Sequence, residues 1–151
     1  MVAMLRRILA AVAVLVVLAG AAFFILAPGY VERALNPLRM PDGGWPVSPE
    51  AQALHDRLVI GDWHSDALLW DRDILERADR GHTDVPRLLE GNVAVQVFTT
   101  VTKSPRGQNY DQNSADAADN ITPLFMGQLR PVRSWFSLRE RALVQAEALA
   151  R

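Results

Sequence analysis

The segment LVIGDWHSDALLW, residues 58–70, joins a short apolar run to a cluster of polar side chains. Leu58-Val59-Ile60 predicts a short buried strand, which Gly61 ends. His64 and Asp66 are two residues apart, and residues at i and i+2 of an extended backbone point to the same face. They would converge at the C-terminal end of the strand, where open α/β sheets and (β/α)8 barrels place their chemistry. The pair is a candidate half-site for a divalent metal ion such as zinc.

A second strand is predicted at Val93–Val101, which reads VAVQVFTTV and is rich in β-branched and aromatic residues. The run is nearly all apolar, as is typical of parallel strands that are buried on both faces. Two strands separated by helical segments indicate a βαβ unit and an α/β fold. A polar loop, residues 102–114, follows the second strand and is expected to lie near the end of the first.

Two short helices are predicted from their N-terminal signals. Ser48-Pro49-Glu50 supplies an N-cap, a proline at the first helical position and an acid in the first turn. The helix that it begins is expected to end near Arg57. Thr83 or Asp84 can cap a second helix, which has a proline in its first turn and ends at Gly91.

Three further segments have helical or mixed character. Residues 67–80 are rich in charge, residues 115–128 are moderately helical with a break expected at Pro123, and residues 134–151 form a predicted amphipathic helix. The side chains expected to be buried are Leu68, Leu69, Ile74 and Leu75 in the first segment, and Trp135, Leu138, Leu143 and Leu149 in the last.

The N-terminal region contains an uninterrupted apolar run of 20 residues, Ile8–Ala27. A helix of that length spans about 30 Å, the thickness of the hydrocarbon core of a bilayer. Arg6 and Arg7 precede the run and no Lys or Arg follows before Arg33, so the positive-inside rule leaves the N-terminus in the cytoplasm. A cleavable signal peptide is the alternative, but its apolar region is usually about 7–15 residues long. We therefore expect an uncleaved single-pass anchor.

Charge and cysteine content exclude several classes of function. Removing Arg6 and Arg7 from the 16 basic residues leaves 14 against 17 acidic residues, a net charge of −3 beyond the anchor. No basic stripe is present, so there is no electrostatic case for nucleic-acid binding. The chain has no cysteine, which excludes disulfides, cysteine-based zinc sites and cysteine nucleophiles.

Two other interpretations of the segment Asp62-Trp63-His64-Ser65-Asp66 are possible besides a metal half-site. In the first, Asp62 or Asp66 caps the following helix and His64 is a hydrogen-bonded structural residue. In the second, Asp62 and His64 form the Asp-x-His motif of calcineurin-like metallophosphoesterases. Those enzymes need a downstream Gly-Asn-His, whereas the only Gly-Asn here is Gly91-Asn92, which is followed by Val93.

A second block of sequence connects the site with a family. Thr83-Asp84-Val85-Pro86-Arg87-Leu88, Glu90-Gly91-Asn92-Val93 and Gln96-Val97-Phe98 follow the His-x-Asp segment in register. Together with Leu58–Asp66 they resemble the membrane dipeptidase (renal-dipeptidase-type) family of zinc peptidases. Trp63 and Ser65 replace the Gly and Asn that are usual there, and neither position supplies a metal ligand in the family.

The resemblance implies a fold, a cofactor and an activity. The family fold is an amidohydrolase-like (β/α)8 TIM barrel, in which two zinc ions activate a water whose hydroxide attacks the carbonyl of a dipeptide substrate. The first two zinc ligands of the family fall on His64 and Asp66, whereas the other ligands and the substrate-binding residues lie beyond residue 151. The resemblance covers about residues 55–150, so the chain is expected to be an N-terminal fragment that is inactive alone.

The resulting domain plan has four parts. Residues 1–7 are a cytoplasmic N-terminus, 8–27 a transmembrane anchor, 28–47 a linker rich in proline and glycine, and 48–151 the start of the barrel. The barrel domain would be periplasmic or extracellular. A non-catalytic membrane-anchored binding module, with a degenerate start of a barrel, is the alternative from another functional class. The sequence leaves open which dipeptides are cut and whether the protein forms a homodimer.

Overall fold

The computed structural model describes residues 2–150. Met1 is the first residue of the predicted cytoplasmic segment and Arg151 the last residue of the predicted last helix, and both lie outside the described residues. The first element, α1 (Val2–Leu35), is a 34-residue helix about 51 Å long, so it exceeds the thickness of a hydrocarbon core. Its most apolar part is wholly exposed. Within residues 2–150, this N-terminal helix alone is long and apolar enough to span a membrane, a property that a signal sequence shares.

The helix α1 continues beyond Ala27, so the first eight residues of the segment expected to be a linker are helical. Pro28 lies inside the helix, although proline lacks an N–H and ordinarily weakens a helix interior. Tertiary contacts stabilise this extension. Glu32 is buried and forms ion pairs with Arg72 at 3.2 Å and Arg80 at 2.8 Å. These pairs hold the last turns of α1 against the rest of the molecule.

The two capped helices are present where they were predicted. In α2 (Pro49–His55), the Ser48 hydroxyl accepts a hydrogen bond from the backbone N–H of Ala51 at 3.2 Å. In α3 (Val85–Glu90), the cap is Asp84, whose carboxylate accepts from the N–H of Arg87 at 3.0 Å. These bonds satisfy N–H groups that have no partner within the helix.

The strands β1 (Ile60–Ser65) and β2 (Val93–Phe98) form a two-stranded parallel sheet. The predicted parallel pairing of two strands, with a helix between them, is therefore confirmed. The described residues form a small mixed structure of helices and this sheet, and the (β/α)8 barrel stays a prediction.

The position and burial of the first strand differ from the prediction. A buried strand over Leu58-Val59-Ile60 that stops at Gly61 is wrong, because β1 begins at Ile60 and runs through the polar segment to Ser65. The Asn92 side chain donates to the carbonyl of Leu58 at 2.9 Å, which ties Leu58 to the turn before β2 instead of to the ladder. Val59 is 87% exposed.

The segment after β1 is less regular than predicted. A short 3-10 turn, Ala67–Leu69, is followed by irregular backbone up to α3. Leu68 and Leu69 are buried as expected, whereas the expectation of burial is wrong for Leu75, which is 65% exposed. The Asp73 side chain accepts a hydrogen bond from the N–H of Leu75 at 2.8 Å, a local turn that competes with a helix.

Two expectations about the C-terminal helices are also wrong. Pro123 does not break a helix, because α4 (Ile121–Gly127) starts only two residues before it and proline is tolerated in a first turn. In α5 (Leu138–Leu149), the buried positions are Arg141, Val144 and Gln145. The predicted contacts Leu138, Leu143 and Leu149 are 48%, 39% and 46% exposed.

The main apolar core lies between the helices and not on the sheet. It contains Leu69, Ile121 and Phe125, and the half-buried residues packed against it are Trp70, Val101, Leu124 and Trp135. The buried face of α5 is polar because it holds the backbone of other segments. The Gln145 side chain, for example, accepts from the N–H of Val101 at 3.1 Å and donates to its carbonyl at 3.0 Å.

Candidate metal centre

The two predicted metal ligands lie together at the C-terminal end of β1. His64 belongs to the strand and Asp66 follows its last residue. The Nε2 atom of His64 lies 3.3 Å from the Oδ1 atom of Asp66, and the two side chains are 70% and 49% exposed. An imidazole and a carboxylate therefore present their ligand atoms side by side on an accessible surface.

A threonine that sequence reasoning treated only as part of a strand orients the carboxylate. The Thr99 hydroxyl is 2.5 Å from Oδ1 of Asp66 and 3.1 Å from the carbonyl of Ser65. Its backbone N–H donates to the same carbonyl at 2.9 Å. The signal available in the sequence was its position, since Thr99 follows β2 and the ends of parallel strands share one edge of a sheet.

Asp62 supports the backbone of the site and does not join the pair. Its Oδ1 atom accepts a hydrogen bond from the N–H of His64 at 3.1 Å. That N–H, and after it the side chain of Gln96, lowers the pKa of Asp62 below its usual value. The carboxylate of Asp62 is consequently held as an anion that fixes the local turn of the strand.

The pair opens into a shallow cleft of about 230 Å³. One wall comes from the end of the N-terminal helix, because Asn36 directly follows α1. The lining also includes His82, which is exposed, as the sequence predicted. Within residues 2–150, no group of three or more His, Cys, Asp or Glu side chains lies close enough to hold a metal ion. The centre thus offers two ligands from the described part of the chain.

Asp84 also lies in a His-x-Asp segment, but its carboxylate is engaged elsewhere. It is completely buried, caps α3 and forms an ion pair with Arg87. Burial alone would raise the pKa of Asp84, yet the N–H groups of Arg87 and Ala78 and the charge of Arg87 lower it. The capping interpretation of Asp84 is confirmed.

The distance between the two candidate ligand atoms fits a zinc ion. Nitrogen and oxygen donors bound about 2.1 Å from a tetrahedral zinc ion lie about 3.4 Å apart. The Nε2 and Oδ1 atoms of His64 and Asp66 are 3.3 Å apart. Neutral imidazole and carboxylate are also chemically suitable donors for this borderline cation. The residues present therefore fit one zinc ion as a pair of ligands.

No protein-family model, curated protein or solved structure matches this chain. The interpretation of the site accordingly depends on three features of the molecule itself. These are the distance between the imidazole and the carboxylate, the hydrogen bond from Thr99 to Asp66, and the motif around them.

Proposed function

We propose that this chain is the N-terminal, metal-binding part of a membrane-anchored zinc dipeptidase of the membrane dipeptidase type. The main support is the convergence of His64 and Asp66 at the C-terminal end of a parallel strand. That edge of a sheet is where α/β enzymes assemble ligands from several strands. The resemblance of the surrounding motif to the dipeptidase family adds the substrate class, dipeptides.

In this proposal His64 and Asp66 bind the metal, and a third residue positions one of them. Nε2 of His64 and Oδ1 of Asp66 hold the metal, and Thr99 orients the Asp66 carboxylate through its hydroxyl. Bound zinc would supply Lewis acidity, which lowers the pKa of a water to about 7 and polarises a carbonyl. The remaining ligands of a two-zinc centre and the contacts to the dipeptide would come from residues outside 1–151.

The location of the domain is also part of the proposal. One N-terminal helix is long and apolar enough to span a membrane. Arg6 and Arg7 lie at its N-terminal end, which favours a cytoplasmic N-terminus. The candidate metal centre would then lie on the periplasmic or extracellular side, where it would meet peptides released outside the cytoplasm.

A non-catalytic anchored module is the second candidate. The observation that favours it is the presence of only two adjacent ligands within residues 2–150, both well exposed. Such a module would use the same surface for weak binding without hydrolysis. The two candidates differ in whether further ligands complete the site.

The deciding experiment is to read the gene past codon 151 and to measure zinc and dipeptide hydrolysis in the resulting protein. We expect about two zinc ions per chain, as in other two-metal hydrolytic sites, and their loss in the His64→Ala variant. His55→Ala is the matched control, because His55 lies on α2 away from the cleft, and it should keep both metal and activity.

Two results would contradict the dipeptidase proposal. A protein that binds no metal, or whose metal survives His64→Ala, has no centre at this place and favours the non-catalytic module. Dipeptide hydrolysis by purified residues 28–151 would refute the expectation that this segment is inactive alone, because a pair of ligands cannot hold two metal ions.

A further inference from the structure

The turn after α4 lies against the apolar part of α1. A Cβ atom added to Gly127 would be only 3.3 Å from Cγ of Pro28 and 3.5 Å from Cζ of Phe23. The absence of a side chain at Gly127 is therefore what lets the two helices approach closely. Leu129, just beyond the helix, lines a groove together with Phe24 and Ile25 of α1, and the charged residues Asp71 and Arg80 line the same groove.

The depth of this contact places the turn at a membrane surface. Phe24 and Ile25 precede the end of the apolar run, Ala27, by about 3–5 Å along the helix axis. The interfacial layer on each side of a hydrocarbon core is about 5–8 Å thick. Tyr30, which is 74% exposed, lies one turn farther along, where aromatic side chains commonly mark the interface.

The orientation of the domain on α1 is held by charges in addition to apolar contacts. The ion pairs of buried Glu32 with Arg72 and Arg80 are joined by an exposed pair between Arg33 and Asp79 at 2.8 Å. The Arg33 guanidinium lowers the pKa of Asp79, so this carboxylate stays charged. Since several bonds fix the same helix turns, the domain cannot swing freely about the end of α1.

We propose that the turn at Gly127–Leu129 forms a lipid-contacting surface and that Leu129 inserts into the interface of the bilayer that α1 spans. Leu129 is 68% exposed although it is apolar. Its φ of 53° lies in the left-handed region, which a leucine rarely adopts. An apolar side chain held outward beside membrane-embedded residues is best accommodated by lipid. The placement depends on α1 spanning a membrane and is independent of the dipeptidase proposal.

The placement also sets the height of the candidate metal centre. Asn36 lines the cleft and lies nine residues beyond Ala27, which corresponds to about 14 Å along the helix axis. The cleft would therefore face a layer of solvent close to the membrane.

The test uses a fluorescent label at Leu129 in the whole chain, reconstituted in nanodiscs of phosphatidylcholine. The chain has no cysteine, so the Leu129→Cys variant can be labelled at one position with an environment-sensitive NBD dye. We expect a blue-shifted emission and strong quenching by phosphatidylcholine that carries a nitroxide near the top of its acyl chain. Leu89→Cys is the matched control, because Leu89 is 73% exposed on α3, and its label should report water.

A label at Leu129 that reports water, or labels at both positions that are quenched equally, would overturn the proposal. Cooperative thermal unfolding in the same nanodiscs verifies that each variant is folded. If Leu129→Cys does not fold, Pro123→Cys replaces it, because Pro123 is exposed and lies beside Phe23 and Ala27. The same blue shift and quenching are expected at that position, and a water-like signal there overturns the proposal equally.

Discussion

The helical side of the molecule, which consists of α4, α5 and the segments packed against them, differs from the sheet that carries the candidate site in how its side chains are buried. Around α4 and α5, buried charges and amides bind the backbone of several segments, and Phe125 is completely buried. On the sheet, Trp63 and Val95 are 74% and 47% exposed. Parallel sheets are ordinarily covered on both faces. Polar networks therefore stabilise the helical part of the described fold, whereas the candidate site lies on a sheet with exposed apolar side chains.

Arg141 is the centre of the helical side. Its buried guanidinium donates to the carbonyls of Ser134 and Thr102, to the hydroxyl of Thr122 and to the carboxylate of Asp119. It also lies over the ring of Phe125, 5.6 Å from its centroid. Among the described residues, no side chain of β1 or β2 forms a comparable number of hydrogen bonds to other segments.

The largest effect is expected from Arg141→Met. The substitution keeps an apolar stem of similar length but leaves the partly buried Asp119 carboxylate without its counter-charge, which should lower the free energy of unfolding by about 3–5 kcal/mol. The measurement is urea unfolding of the chain in a non-ionic detergent, followed by tryptophan fluorescence.

Arg139→Met is the control for this prediction. Arg139 is 81% exposed and, within residues 2–150, pairs with the neighbouring Glu140 alone, so its loss should change the free energy of unfolding by less than about 0.5 kcal/mol. Similar effects of the two substitutions would contradict the contrast between a network that stabilises the helices and an ordinary charged surface.

Acid should weaken the helical side by a smaller amount. Burial alone would raise the pKa of Asp119, but the N–H groups of Ser104 and Ile121, together with Arg141 and Thr122, lower it from 3.8 to about 2. The stabilisation is present above the unfolded-state pKa and is lost as pH falls from about 4 to about 2. The corresponding loss in the free energy of unfolding is about 2 kcal/mol.

Urea titrations at several pH values test this prediction, with Asp119→Asn as the comparison. The variant has no charge at this position, so its free energy of unfolding should fall less steeply between pH 4 and 2. Other carboxylates, such as Asp84, contribute the same background to both proteins. Parallel curves for the two proteins would show that Asp119 is not the group that titrates.

Local signals predicted much of the fold, and their failures have physical causes. Caps at Ser48 and Asp84 depend on neighbours within four residues, so sequence alone was enough to find them. The buried face of α5 was misassigned because hydrophobic patterning favours Leu143, whereas Arg141 is buried by bonds to residues far away in sequence. The candidate site shows the same difference between local and long-range signals. The spacing of His64 and Asp66 is visible in the sequence, whereas Thr99 is brought to Asp66 by the pairing of the two strands.

The last prediction concerns the sheet and separates the orientation of the ligand from the stability of the fold. Thr99→Val removes the hydroxyl that binds Oδ1 of Asp66 and keeps the β-branched shape. Since the loss of a group that orients a metal ligand typically lowers metal affinity, we expect Thr99→Val to bind zinc about 10- to 100-fold more weakly. The measurement is a titration of zinc against a chromogenic chelator, on the same protein that is used for His64→Ala.

Thr100→Val is the matched control, because Thr100 is the exposed neighbour in the same segment. It should leave zinc affinity unchanged, and neither variant should move the free energy of unfolding by more than about 0.5 kcal/mol, as is usual for substitutions outside a core. Equal zinc affinities for the two variants would mean that Thr99 does not position Asp66. A large loss of stability in Thr99→Val would instead show that the bond from its hydroxyl to the carbonyl of Ser65 helps to hold the two strands together.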